Sequence, residues 1–224
     1  MTKAIKFAKL DFLTITPYLT WKVSLLFLVV SAFVGYGTGE TSVIVGMCMI
    51  YGVIFGSYPF AIGEKSALDT LYATLPVNKK QLVAGRYLFF VLLNLAALVF
   101  ACLLSFVLLT VLGKEFDLLT NIISALVCFV LFSVVGAIQM PIYFRFGYTK
   151  AKFLTYIPLM AFPAATIIVS SLVGENNPIP VLINAITWIE ANSVMTLLLA
   201  IVLWAGALLL SGVLSYRMYR KREF

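Results

Sequence analysis

The sequence predicts an all-α polytopic membrane protein, and three observations predict it. Runs of about 18 or more apolar residues recur, each long enough to cross a hydrocarbon core of about 30 Å. The runs are apolar all round, whereas the strands of a β-barrel would alternate with polar lumen positions. The composition agrees: 62% of the 224 residues are hydrophobic, 11% are charged, and the mean hydropathy is +1.07.

Six spans are expected, at about 18–36, 41–62, 79–113, 121–143, 153–174 and 193–216, forming a transmembrane domain over 18–216. The first run follows a basic segment, as a signal peptide would. It is long and lacks a clear small-residue cleavage site, so it reads as a retained span. The third span exceeds the core at 1.5 Å per residue and should tilt or project into water. Of the 16 Lys and Arg residues, only Lys114 falls on one side of this arrangement. The rest, including the basic tail at 217–224, fall on the other, which places both termini in the cytoplasm. The net charge of +7 is then a topology signal and an attraction to anionic lipid, with no nucleic acid implied.

Two further helices are expected outside the spans. In residues 1–17, Ala4, Ile5, Ala8, Phe12 and Ile15 share one face at 100° per residue, and Lys3, Lys6 and Lys9 share the opposite one. This predicts an amphipathic helix lying flat at the cytoplasmic interface, as a lipid anchor or a docking element, with Pro17 separating it from the first span. On the outer side, Leu182, Ile186 and Ile189 fall on one face, with Trp188 beside them. This predicts an interfacial or re-entrant helix at about 178–190, or a plain amphipathic connector.

The spans lack the chemistry of a self-powered machine. Their midplanes hold no Asp, Glu, Lys or Arg, and the chain has no histidine. Lys22, Glu64 and Arg86 are near enough to the cytoplasmic face to snorkel. A secondary transporter normally carries a charge relay or broken helix at the midplane, and a channel a selectivity ring. An intramembrane protease needs paired aspartates, a metal triad or a serine with its base, and no such set is visible. Cys48, Cys102 and Cys128 lie within apolar runs, an odd count that suits small buried hydrophobes better than a disulfide or metal site. The deep polar residues Asn94, Ser105, Ser133, Thr166 and Ser170 read as helix–helix hydrogen bonds, with Asn94, Ser133 and Thr166 the candidates for a cargo path. Gly52 and Gly56 allow close helix packing, and Pro141, Pro158 and Pro163 should kink their spans. No GxxxxGK[ST] phosphate loop is present, so any ATP and magnesium would belong to another chain.

The segment EKSALDTLYATLPVNKKQ, residues 64–81, is where such a chain could grip. Ser66 followed by Asp69 reads as a capping box. Leu68, Leu71, Tyr72 and Leu75 follow at i, i+3, i+4 and i+7, one apolar stripe. Pro76 ends the helix, and Asn78 with Gln81 caps the next one. A helix of two or three turns is marginal alone in water, so its stripe must be buried against lipid or protein.

Glu64, the Leu-Asp pair at 68 and 69, TLYATLPVNKKQLVAGRYL at 70–88 and the six-span plan with a basic N-terminal helix resemble the permease subunits of type-2 ABC transporters. The likeness is to small Gram-positive export permeases, including those that expel amphipathic toxin peptides. It covers the whole chain as topology and about 64–88 as sequence. Import permeases carry a Glu-Ala-Ala…Gly…Leu-Pro loop late in the chain. Here that triplet and glycine are absent, and the segment lies between the second and third spans. The resemblance implies that 64–76 is a coupling helix resting on a dimeric cytosolic ATPase. Glu64 would then stand at the hinge, Ser66 and Asp69 would cap, Leu68, Leu71, Tyr72 and Leu75 would fill the ATPase groove, and Pro76 would end the helix. It also implies a second permease subunit, the same or homologous, and a chain that is not itself catalytic. A charge-poor path suits an amphipathic or hydrophobic cargo such as a peptide, lipid or drug. The alternative is a non-transporting sensor, immunity factor or scaffold that uses 64–76 for docking.

Overall fold

The computed structural model describes residues 2–18, 20–38, 41–66, 78–111, 118–157 and 192–221, with a few isolated positions besides. In chain order the described helices are α1 (Thr2–Ile15), α2 (Trp21–Thr38), α3 (Thr41–Gly56), α4 (Tyr58–Lys65), α5 (Lys79–Val111), α6 (Leu118–Phe146), α7 (Tyr148–Ala151) and α8 (Ser193–Arg220). A 3-10 turn, Lys152–Tyr156, follows α7 where the fifth span was expected to begin. Most of that span, with Pro158, Pro163, Thr166 and Ser170, lies outside the described residues, as does the loop helix expected at 178–190.

Among the described residues, four helices are long and apolar enough to cross a bilayer: Ser42–Lys65, Lys79–Val111, Asn121–Phe146 and Leu198–Arg220. The second of the expected spans runs on beyond its predicted end and is jointed at Ser57. Pro59 cannot donate to the carbonyl four residues back and its ring crowds that turn. The hydroxyl of Ser57 donates to the Ile54 carbonyl at 2.7 Å and steadies the joint.

The helix α3 packs between α5 and α6, with α8 along α6, α2 along α3 and α1 along α5. In lipid, apolar burial alone drives little association, so close van der Waals fit decides which helices meet. The Phe90 ring supplies that fit. It lies over Gly56 of α3, where a Cβ would sit 2.7 Å from the ring, and over Gly136 of α6, where a Cβ would collide with it. At Gly52 the neighbours are Asn94 and Ala97, so the Gly52–Gly56 pair does face a helix.

Polar ties complete the bundle. Pro141 sits inside α6, which continues through it to Phe146, and leaves the Ala137 carbonyl without its helical donor. The Ser211 hydroxyl of α8 donates to that carbonyl, and the Tyr87 hydroxyl of α5 pairs with both Ser211 and, at 2.8 Å, Ser215. Three spans are thus joined at the one carbonyl that the proline releases. Ser211→Ala should lower stability by about 1 kcal/mol, within the range for intramembrane hydrogen bonds. The midpoint of thermal unfolding in detergent checks this, and Thr20→Ala, exposed and away from the network, should leave it unchanged.

Candidate functional site

The predicted coupling segment is anchored at both ends, and the anchors define the site. Residues 69–77, with Asp69, Leu71, Tyr72, Leu75 and Pro76, lie outside the described residues. Leu68 has helical backbone and is half-buried. On the leading side, α4 runs to Lys65. Ser66, expected to open a helix as an N-cap, instead closes α4, its N–H donating to the Ile62 carbonyl at 2.9 Å. The reason is that the second span continues as helix past the position where hydropathy alone ends it.

Glu64 therefore stands in the last turn of α4, just before the turn at Ser66. A carboxylate there is unfavourable to its own helix, whose C-terminal carbonyls carry partial negative charge. Its Oε2 accepts the Thr149 N–H at 2.9 Å, in the first turn of α7, where backbone donors lack helical partners. Gly147 makes this approach possible. Its φ of 79° and ψ of 172° fall in a region essentially reserved for glycine, and its N–H closes α6 on the Tyr143 carbonyl at 2.9 Å. One acidic side chain so ties the end of α4 to the first turn of α7.

On the trailing side, Asn78 caps α5 as its sequence position predicts, its Oδ1 accepting the Lys80 N–H at 3.0 Å. The Lys79 ammonium lies 5.6 Å from the Tyr219 ring centroid and Lys80 5.4 Å from that of Tyr216, linking the start of α5 to the end of α8.

Arg86 corrects an expectation. It does not snorkel to water: it is 3% exposed, its guanidinium 4.3 Å from the Phe60 centroid and 5.5 Å from that of Phe144. Phe144 in turn packs edge-on against Tyr219 at 5.5 Å. Arginine suits this box because its flat, weakly hydrated cation stacks on aromatic faces. Phe60 and Phe144 are not periodic with Arg86 in sequence, so only the assembled bundle reveals the cluster. A basic residue followed by aromatic-rich helix ends is the one signal that could have suggested it.

The N-terminal helix is also corrected. It docks on its own chain instead of lying on lipid alone, with Ala8, Asp11 and Ile15 buried and Ile5 and Phe12 each 54% exposed. The predicted apolar face is split, half toward α4 and α5 and half outward. Lys6 and Lys9 are exposed as expected, and nothing is described of the Lys3 side chain. The cause is Gly85. A Cβ there would lie 2.8 Å from the Ala4 carbonyl oxygen, so α1 rests backbone to backbone on α5. Gly85→Val should push α1 off, costing about 1–3 kcal/mol. Faster tryptic cleavage at Lys6 and Lys9 than in the wild type is the expected result.

Of the proposed path residues, Asn94 and Ser133 are buried within the bundle. The Asn94 amide donates to the Phe90 carbonyl at 2.9 Å, and its Oδ1 faces Gly52 with no hydrogen-bond partner among the described residues. All three cysteines are free thiols. Among the described residues no group of His, Cys, Asp and Glu could hold a metal ion.

The sequence model of the family described as "ABC-2 family transporter protein" matches residues 8–220. The chain belongs to that family. It is a multi-pass membrane protein and the permease component of an ABC transporter, and its family implies a cytosolic ABC ATPase as partner on a separate chain. No curated protein gives a significant individual match. In this ABC-2 permease, the segment between α4 and α5 is held on its leading side by Glu64 and on its trailing side by the cap at Asn78.

Proposed function

We propose that this permease is half of an ATP-driven exporter of an amphipathic or hydrophobic cargo, a peptide, lipid or drug, of the kind handled by small Gram-positive export permeases. Two copies, or this chain and a homologous one, each with six spans and cytoplasmic termini, enclose the path at their interface. The segment that follows α4, as far as Pro76, forms the coupling helix, with Leu68, Leu71, Tyr72 and Leu75 in the ATPase groove. ATP-driven closure pushes the two coupling helices together and tilts the spans between inward- and outward-open states. The observation that carries this reading is the double anchoring of the segment in a chain of the ABC-2 family: Glu64 on Thr149 before it, Asn78 and the Lys79–Tyr219 contact after it.

Motion that separates α3 from α5 would expose the Asn94 Oδ1, now against Gly52, to a passing cargo, with Ser133 and Thr166 as further polar points on the path. Isolation of the tagged permease from native membranes, followed by an ATPase assay, tests the proposal. Nucleotide hydrolysis that co-purifies supports it. A permease that moves solute alone, without an ATPase, overturns it.

A further inference from the structure

We propose that the permease holds one acyl chain of an anionic phospholipid in a groove along α5, with the headgroup paired to Lys9. Two cavities form this groove. One, of about 330 Å³, lies between α1 and α5 and is lined by Ile5, Lys9, Phe12, Leu88 and Leu92 among others. The second, of about 240 Å³, lies between α2, α3 and α5, with Phe27, Tyr51, Phe55 and Phe100 on its walls. Leu93 and Ala96 line both, so the two adjoin along α5.

The occupant follows from length, polarity and charge. From Leu88 to Phe100 the α5 wall extends roughly 18 Å at 1.5 Å per residue. Half of a hydrocarbon core is about 15 Å, the reach of one leaflet's acyl chain. Each cavity exceeds the roughly 150 Å³ that holds a benzene ring; the first is almost wholly apolar and the second mostly so, with Ser31 and Tyr51 as its hydroxyl-bearing residues. The one charged lining residue, Lys9, stands at the α1 end and is exposed. Asp11 does not oppose an anion there. It is buried, and it lies about 200° round the helix from Lys9. Ile5 and Phe12, which flank Lys9 in the wall, are the apolar residues that α1 turns away from the bundle. The helix thus presents a cation between two apolar contacts at the mouth of a chain-length groove. The proposal needs only that the protein is embedded in a bilayer, so it stands or falls separately from the export reading.

The test uses the full chain reconstituted in bilayers of equal phosphatidylglycerol and phosphatidylcholine, then extracted in mild detergent. Native mass spectrometry counts the lipids retained per chain. One retained phosphatidylglycerol, preferred about fivefold over phosphatidylcholine, is the expected result for one lysine near an anionic lipid. Lys9→Gln should abolish the preference, whereas Lys6→Gln, which removes the same charge outside the groove, should keep it. Ala96→Trp should fill the groove and release both lipids. Equal retention of the two lipids by the wild type overturns the proposal. Equal effects of Lys6→Gln and Lys9→Gln, or wild-type retention by Ala96→Trp, do so as well.

Discussion

Leu71→Asp is expected to leave the permease inserted and folded but unable to retain its ATPase on purification. Leu71 is the second residue of the stripe Leu68, Leu71, Tyr72 and Leu75, whose helical spacing puts all four on one side. In the proposed docking these side chains are buried in a partner's groove. A carboxylate forced into that groove without a partner costs several kcal/mol. Each 1.4 kcal/mol is tenfold in affinity, so an interaction of ordinary micromolar strength would fall below detection. The spans keep their sequence, because position 71 lies outside every apolar run. Yield and unfolding midpoint should therefore match the wild type while ATPase recovery falls at least a hundredfold. Full co-purification of the variant with its ATPase would remove the coupling role from this helix.

Glu64→Ala should have the opposite signature, with the complex intact and the linkage cut. Glu64 is half-buried and joins the end of α4 to the first turn of α7 through Thr149. A hydrogen bond to a charged group contributes about 1.5–3 kcal/mol, but Thr149 is exposed, so screening brings the loss toward about 1 kcal/mol. That is too small to unfold the bundle and large enough to let two loops move independently. With spin labels at positions 65 and 150, the wild type should give a narrow distance distribution with and without ATP. In Glu64→Ala the distribution should broaden on ATP addition, hydrolysis should persist, and export should fall. A distribution as narrow as the wild type's, together with unchanged transport, would take Glu64 out of the force path.

The four spans found among the described residues were legible because the bilayer sets a length threshold that any apolar run either meets or fails. The long third span, expected at 79–113, is helix over Lys79–Val111, and the cap at Asn78 is local chemistry that needs no partner helix. Boundaries failed where helix outlasts hydropathy, as at α4, which carries Glu64 and Lys65 before Ser66 closes it. The face of α1 failed for a different reason. A helical wheel assumes two environments, water and lipid, and α1 has a third in α5, where Gly85 admits its backbone and Asp11 is buried.

By itself the sequence determined that the chain is helical, that it is embedded in a membrane and where its apolar runs lie. These follow from residue counts and 3.6-residue periodicity, properties of each segment alone. Only the tertiary structure decided that Arg86 stacks on Phe60 and Phe144, that Glu64 holds Thr149, and that Ser211 takes the carbonyl which Pro141 releases. Each of these joins residues from different helices. In hydrocarbon the choice of neighbour rests on close fit and paired polar groups, because hydrophobicity there favours no one apolar face over another.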